Sequence, residues 1–178
     1  MTSSSRMQTR ALAVTALCTA LIAVCAQIAI PLPTQVPMTL HTFAVALCGY
    51  LLAPKLAGLA MIVYLLLGAV GVPVFSGFRG GMQVLTGPTG GFLIGFLLMI
   101  ICCALSKKRI PALVLGIAGL LLCHLAGVVQ YMLLMHISFP IAAVKVSLPF
   151  IIKDIASVVI AMALADRLRP LLHLDHLS

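Results

Sequence analysis

The chain is a succession of long uncharged apolar runs, each closed by proline, glycine or a basic cluster. The first, residues 11–30, carries no charge and stops at Pro31 and Pro33. A helix that crosses a bilayer needs roughly 20 predominantly apolar residues, within about 17–25, and this run qualifies. Others follow over 38–53, halted by Pro54-Lys55, and over 56–71, leading into a glycine-rich stretch. The run 90–105 ends at Ser106-Lys107-Lys108-Arg109, 110–135 is long enough to span with tilt, and 144–165 ends at Asp166-Arg167. The pattern predicts an all-α integral membrane protein, a single domain over residues 1–178 with six transmembrane helices. Composition agrees, because 63% of the residues are apolar and 8% charged, against about 45–50% and 25% in a soluble domain. Three Asp and no Glu cannot solvate the surface of a soluble domain. Soluble-enzyme and nucleic-acid-binding readings are set aside on that ground.

The positions of the charges set the orientation. With the N-terminus inside, Arg6, Arg10, Lys55, Lys107, Lys108, Arg109, Arg167 and Arg169 fall on the cytoplasmic side. Lys and Arg are biased toward cytoplasmic loops, so the net charge of +8 is chiefly a topology signal. Both termini are expected in the cytoplasm, with Asp166 and Asp175 at that end and Lys145 at the outer end of the sixth helix. The chain is expected in a cell membrane. A basic start followed by an apolar stretch also resembles a secretory signal, but such signals have an apolar region of only about 7–15 residues. A retained first helix is the reading.

Few residues offer chemistry. The six cysteines lie inside the predicted spans without CxxC spacing and read as small buried hydrophobes, with neither disulfides nor metal expected. His41, His124, His136, His173 and His176 are scattered and suggest no zinc site. No GxxxxGK[ST] phosphate loop occurs, nor any HExxH, paired carboxylates or evident Ser/His/Asp set, so neither enzyme activity nor a cofactor is expected. Ionisable residues inside a membrane are costly and mark function by default. Asp154 stands about 18 Å along a helix from Asp166 at 1.5 Å per residue, which places it in the outer half of the bilayer. Its neighbour Lys153 should face elsewhere, since adjacent helical residues do not share a face.

Two outer segments complete the set. Residues 72–91, VPVFSGFRGGMQVLTGPTGG, hold six Gly and two Pro and form an extracellular loop between the third and fourth helices. Irregular backbone near membrane depth is tolerated where protein buries it or it lines a cavity. The loop carries Arg79, against the topology bias, with Gln83 close by. The amides of Gly90 and Gly91 at the start of the fourth helix can receive an anionic group. The loop Pro31-Leu32-Pro33-Thr34-Gln35-Val36-Pro37 is stiffened by proline and suits a lid or a tight connection. On the first helix, Ala16 and Ala20 form a small-xxx-small pair, with Thr19 and Ala23 near the same side, that permits close approach of another helix.

Several of these segments together resemble the BioY family, over essentially the whole chain. They are Val36-Pro37-Met38-Thr39-Leu40-His41-Thr42-Phe43, the run from Tyr64 through Gly77 (YLLLGAVGVPVFSG), Gly80-Gly81, Gly87-Pro88-Thr89-Gly90-Gly91-Phe92-Leu93-Ile94-Gly95-Phe96, and Pro149-Phe150-Ile151 with Asp154. The resemblance implies a six-helix, biotin-specific substrate-binding component of an energy-coupling-factor (ECF) transporter. It further implies high-affinity biotin capture from outside, a transmembrane scaffold subunit and two ATPase subunits as partners, and toppling of the subunit in the bilayer to release substrate. ATP is then used by the partners, and biotin is cargo rather than cofactor. Ala16 and Ala20 map to the family's scaffold-docking motif. Asp154 would accept hydrogen bonds from the ureido N–H groups of biotin, and Phe75 and Tyr64 are candidates for packing on its rings. The family's usual ending, PFI-x-G-D-x-x-K, is altered here: Lys153 replaces the Gly and Ser157 replaces the Lys. Arg79, Lys153 or the Gly90-Gly91 amides are left to hold the biotin carboxylate. A substrate-binding component for another vitamin and a biotin facilitator acting without ATPases are the alternatives.

Overall fold

The computed structural model describes residues 3–106 and 108–172. Lys107, His173, Asp175, His176 and the side chain of Arg6 lie outside the described residues. Among the described residues there are eight helices and one two-stranded ribbon. Helix α1 (Ser3–Gln27) leads into the ribbon of β1 (Ala29–Ile30) and β2 (Met38–Thr39), then α2 (His41–Leu51) and α3 (Pro54–Ala69). A one-turn α4 (Met82–Leu85) sits in the glycine-rich stretch before α5 (Gly90–Ala104) and α6 (Arg109–Met135), and α7 (Phe139–Val146) and α8 (Leu148–Leu172) close the fold.

The breaks follow from backbone chemistry. Pro54 is tolerated at the first turn of α3, where its missing N–H is not needed, and it separates α3 from α2. His136 adopts a left-handed conformation (φ 51°) to end α6. The expected single run over 144–165 is instead divided at Ser147 (φ −124°, ψ −55°) into α7 and α8. Pro149 cannot donate the bond that would tie α8 back to α7, and it restricts the residue before it. Lys145 accordingly belongs to the last turn of α7, not to the last long helix. The region 38–53 also departs from a continuous helix: its first residues pair with β1, in the register Ala29↔Thr39 and Ile30↔Met38.

Helix α2 is the centre of the bundle, with Tyr50 fully buried and its hydroxyl donating to the Ala112 carbonyl at 3.3 Å. It packs on α1, α5 and α8, and α5 lies along α6. Small residues allow the α5–α6 approach. A Cβ on Gly95 would stand 2.7 Å from Cys123 Cα, whereas one on Gly58 of α3 would meet only Ile101 side-chain carbons at 3.7 Å or more. Gly95→Val is therefore expected to cost about 1–3 kcal/mol by overpacking, and Gly58→Ala to be neutral or stabilising by up to about 1 kcal/mol. Thermal unfolding in detergent checks both, and equal melting temperatures would contradict the packing assigned to Gly95.

Outward faces of the long helices are apolar, among them Leu17, Val24, Leu121, Leu122, Leu125, Ile152 and Ile160. That skin is where the 63% apolar composition goes. Three helical stretches, Thr9–Gln27, Arg109–Met135 and Leu148–Pro170, are long and apolar enough to cross a bilayer, while α2, α3 and α5 are apolar but shorter. Charges collect at one end of the bundle. There Asp166 lies 3.6 Å from Arg109 and 3.8 Å from Arg169, and Arg169 donates to the Tyr50 carbonyl.

Candidate ligand-binding cavity

The opposite end of the bundle holds a cavity of about 570 Å³, including its open mouth. Its walls come from the start of α2, the loop before α4, the beginning of α5, the middle of α6 and the α7–α8 junction. Over it lies the tip of the β1–β2 ribbon. Val36 and Pro37 reach the cavity, and Val36 is buried against Val128, Tyr131, Val146 and Phe150. Gln35 takes the left-handed conformation (φ 63°) that turns the tip back, and its N–H donates to the Leu32 carbonyl at 3.1 Å. The three prolines thus serve a folded cover.

The second outer segment is pinned by α1. Gln27 Nε2 donates to the carbonyls of Val74 (3.0 Å) and Phe75 (3.2 Å), and Gln27 Oε1 accepts from the Phe78 N–H at 2.9 Å. Phe75 and Arg79 bridge across a turn in which Gly77 (φ 73°) and Phe78 (φ 56°) are left-handed. Phe75 is buried, edge-on to Tyr64 at 5.5 Å. Arg79 is exposed and donates from Nε to the Ser76 carbonyl at 3.0 Å, so a cation stands at the mouth.

The deep wall carries the acid. Asp154 is 5% exposed, so its charge needs partners in the protein. Lys153 Nζ donates to Asp154 Oδ1 and, at 2.8 Å, to the Thr39 carbonyl of β2. His124 Nε2 lies 3.3 Å from Asp154 Oδ2, and His124 Nδ1 is 2.9 Å from Ser147 Oγ. The tautomer satisfying all three groups has Ser147 donating to Nδ1 and Nε2–H facing the carboxylate. Thr42 lines the same cavity as Asp154. Around this polar cluster the lining is apolar, with Phe92, Leu93, Phe96, Val146 and Phe150. An apolar chamber with a few convergent polar groups is the usual form of a small-molecule site.

Of the residues singled out in the sequence, Asp154, Lys153, Arg79 and Phe75 line the cavity. Gln83 does not: it donates to the Gly80 carbonyl at 2.8 Å and faces an outer groove beside Arg79. Tyr64 packs behind the wall on Phe75 and His41, its hydroxyl donating to the Val74 carbonyl at 3.2 Å. Gly90 and Gly91 are buried. A Cβ on Gly90 would strike the Leu85 carbonyl and one on Gly91 the backbone of Ala126, and Gln130 bonds nearby to the carbonyls of Leu85 (2.9 Å) and Gly87 (2.7 Å). Lys153 and Asp154 both reach the cavity despite being adjacent, because the long lysine stem folds back onto its neighbour. Ser147, His124 and Asp154 do come within reach of one another, contrary to expectation, yet Ser147 is absent from the cavity wall. The arrangement orients Asp154. His41, His124 and Thr42 are not legible as site residues in the sequence, because only the packing of α2, α6 and α8 brings them to one cavity with Asp154.

On α1, Ala16 and Ala20 are exposed. Thr19 is not on their side: it is buried and donates to the Ala60 carbonyl of α3 at 3.1 Å.

The chain is 44% identical to the biotin transporter BioY of Thermotoga maritima, over 86% of this chain and 92% of that protein. It is 38% identical to the biotin transporter BioY2 of Lactococcus lactis subsp. cremoris, over 82% of each. The fold matches the solved S-component for biotin from an ECF-type ABC transporter, with a TM-score of 0.85, 24% identity and coverage of 96% of this chain and 95% of that one. The BioY family model matches residues 1–174, and the chain belongs to that family.

Proposed function

We propose that the chain captures biotin in this cavity as the substrate-specific component of an ATP-driven ECF transporter. It lies in the cell membrane with six helices across the bilayer, the cavity facing outward and the termini in the cytoplasm. A scaffold subunit and two ATPase subunits supply the energy. The observation that carries the reading is the buried Asp154 carboxylate, oriented by Lys153 and His124 on the wall of an apolar chamber. A carboxylate is acceptor-only, which suits the ureido N–H groups of biotin. Phe92, Phe96 and Phe150 would enclose the apolar rings and chain, and Arg79 at the mouth would meet the valerate carboxylate.

Uptake of labelled biotin by biotin-transport-deficient cells tests the assignment. Accumulation against a gradient is expected when the chain is expressed with scaffold and ATPases. Equal accumulation without them would favour a facilitator instead.

The role of Arg79 has its own test. Arg79→Ala is expected to weaken biotin about 2- to 5-fold, a modest loss because the guanidinium is exposed and solvent-screened. An uncharged biotin amide should be nearly unaffected. Equal losses for the two ligands in a binding titration would remove Arg79 from the carboxylate.

A further inference from the structure

His41 is the first residue of α2. His41 is 3% exposed, lines the cavity that Asp154 also lines, and leaves Nε2 without a hydrogen-bond partner. Among the described residues this is the sole buried side-chain nitrogen or oxygen so left. Buried polar groups are almost always paired, and leaving one unpaired is costly. Aromatic neighbours hold the ring but cannot pair it: Phe96 lies 4.4 Å away and Tyr64 5.2 Å, edge-on. The Tyr64 hydroxyl is committed to Val74.

A cyclic urea presents N–H donors on either side of a carbonyl acceptor. An acceptor-only carboxylate serves the donors and leaves the carbonyl oxygen unmet. Of the other donors on the deep wall, the His124 N–H faces Asp154, and Lys153 commits two of its three N–H groups, to Thr39 and to Asp154. His41 is tied to the same cluster, since its backbone N–H donates to Thr39 Oγ1 at 3.4 Å and the Thr39 carbonyl receives Lys153. We infer that His41 Nε2–H donates to the carbonyl oxygen of the ligand's urea ring, so that His41 and Asp154 together read its donor–acceptor pattern. The inference rests on the biotin reading and assigns the residue that would select a urea over its analogues.

The test compares biotin with 2-iminobiotin, whose exocyclic nitrogen is protonated at neutral pH and donates where the urea carbonyl accepts. The wild-type chain should prefer biotin strongly. His41→Phe keeps the ring packing and removes the donor. It should lower biotin affinity about tenfold and shrink the biotin-to-iminobiotin ratio by a similar factor. His41→Gln, which retains an N–H donor, should recover part of both. Because His41→Phe also removes an unpaired nitrogen, its melting temperature without ligand should equal or exceed that of the wild type. An unchanged ratio in His41→Phe, or a variant that fails to fold, would overturn the role of His41 while leaving biotin binding by the wild type intact. Absence of biotin binding by the wild type would overturn the biotin reading and this inference with it.

Discussion

Asp154→Asn is expected to weaken biotin binding by about 1.5–3 kcal/mol, the usual worth of a hydrogen bond to a charged group, or roughly ten- to more than a hundredfold. The substitution is nearly isosteric, so the loss comes from chemistry rather than a cavity. Both carboxylate oxygens face donors, Lys153 at Oδ1 and His124 at Oδ2. An asparagine must turn its NH₂ toward one of them, setting donor against donor, and it leaves the Lys153 ammonium without a counter-charge. The remaining carbonyl oxygen can meet one ureido N–H, without the charge. Titration of the purified variant in detergent reads the effect. Unchanged affinity would remove Asp154 from the site.

Ala20→Trp, alone or with Ala16→Trp, is expected to abolish uptake energised by the scaffold and ATPases while leaving biotin affinity within about twofold. The two alanines occupy the exposed face of α1, and the opposite face, with Thr15, Cys18, Thr19 and Ile22, is buried. Small residues in a membrane helix permit the close backbone approach on which helix association depends. An indole at either position would hold a partner helix away without disturbing the core. No described residue of α1 lines the cavity, so docking and binding should separate. The check pairs uptake by cells with binding to the same purified variants. Retained uptake would move the docking face elsewhere, and a parallel loss of binding would mean that α1 supports the cavity.

The sequence announces Asp154 because a lone acid in an apolar run has few structural excuses. Arg79 stands out as one of three bases, with Lys145 and Lys153, that fall outside the cytoplasmic set. Spans ended by Pro54 and by the basic cluster before α6 are equally plain, since proline and charge stop an apolar helix by local chemistry. What depends on packing is not legible. His41 and His124 are far apart in sequence and look like incidental apolar-face histidines until α2, α6 and α8 bring them to one cavity. Gly90 and Gly91 read as amides at a helix start, whereas their close approach to Leu85 of α4 and to Ala126 of α6 is visible only in the packing. Lys153 is misjudged by helix periodicity, which fixes the direction of Cβ and not the reach of a four-carbon stem. The three-proline loop reads as stiff, yet its pairing of Ala29 with Thr39 and its anchoring through Val36 are tertiary.

We propose that this cavity selects biotin. Equilibrium binding of labelled biotin to the purified chain in detergent, with a panel of other vitamins as competitors, tests it most directly. Saturable binding at one site per chain is predicted, displaced by unlabelled biotin and by none of the others. No saturable binding, or displacement by another vitamin as effectively as by biotin itself, would contradict it.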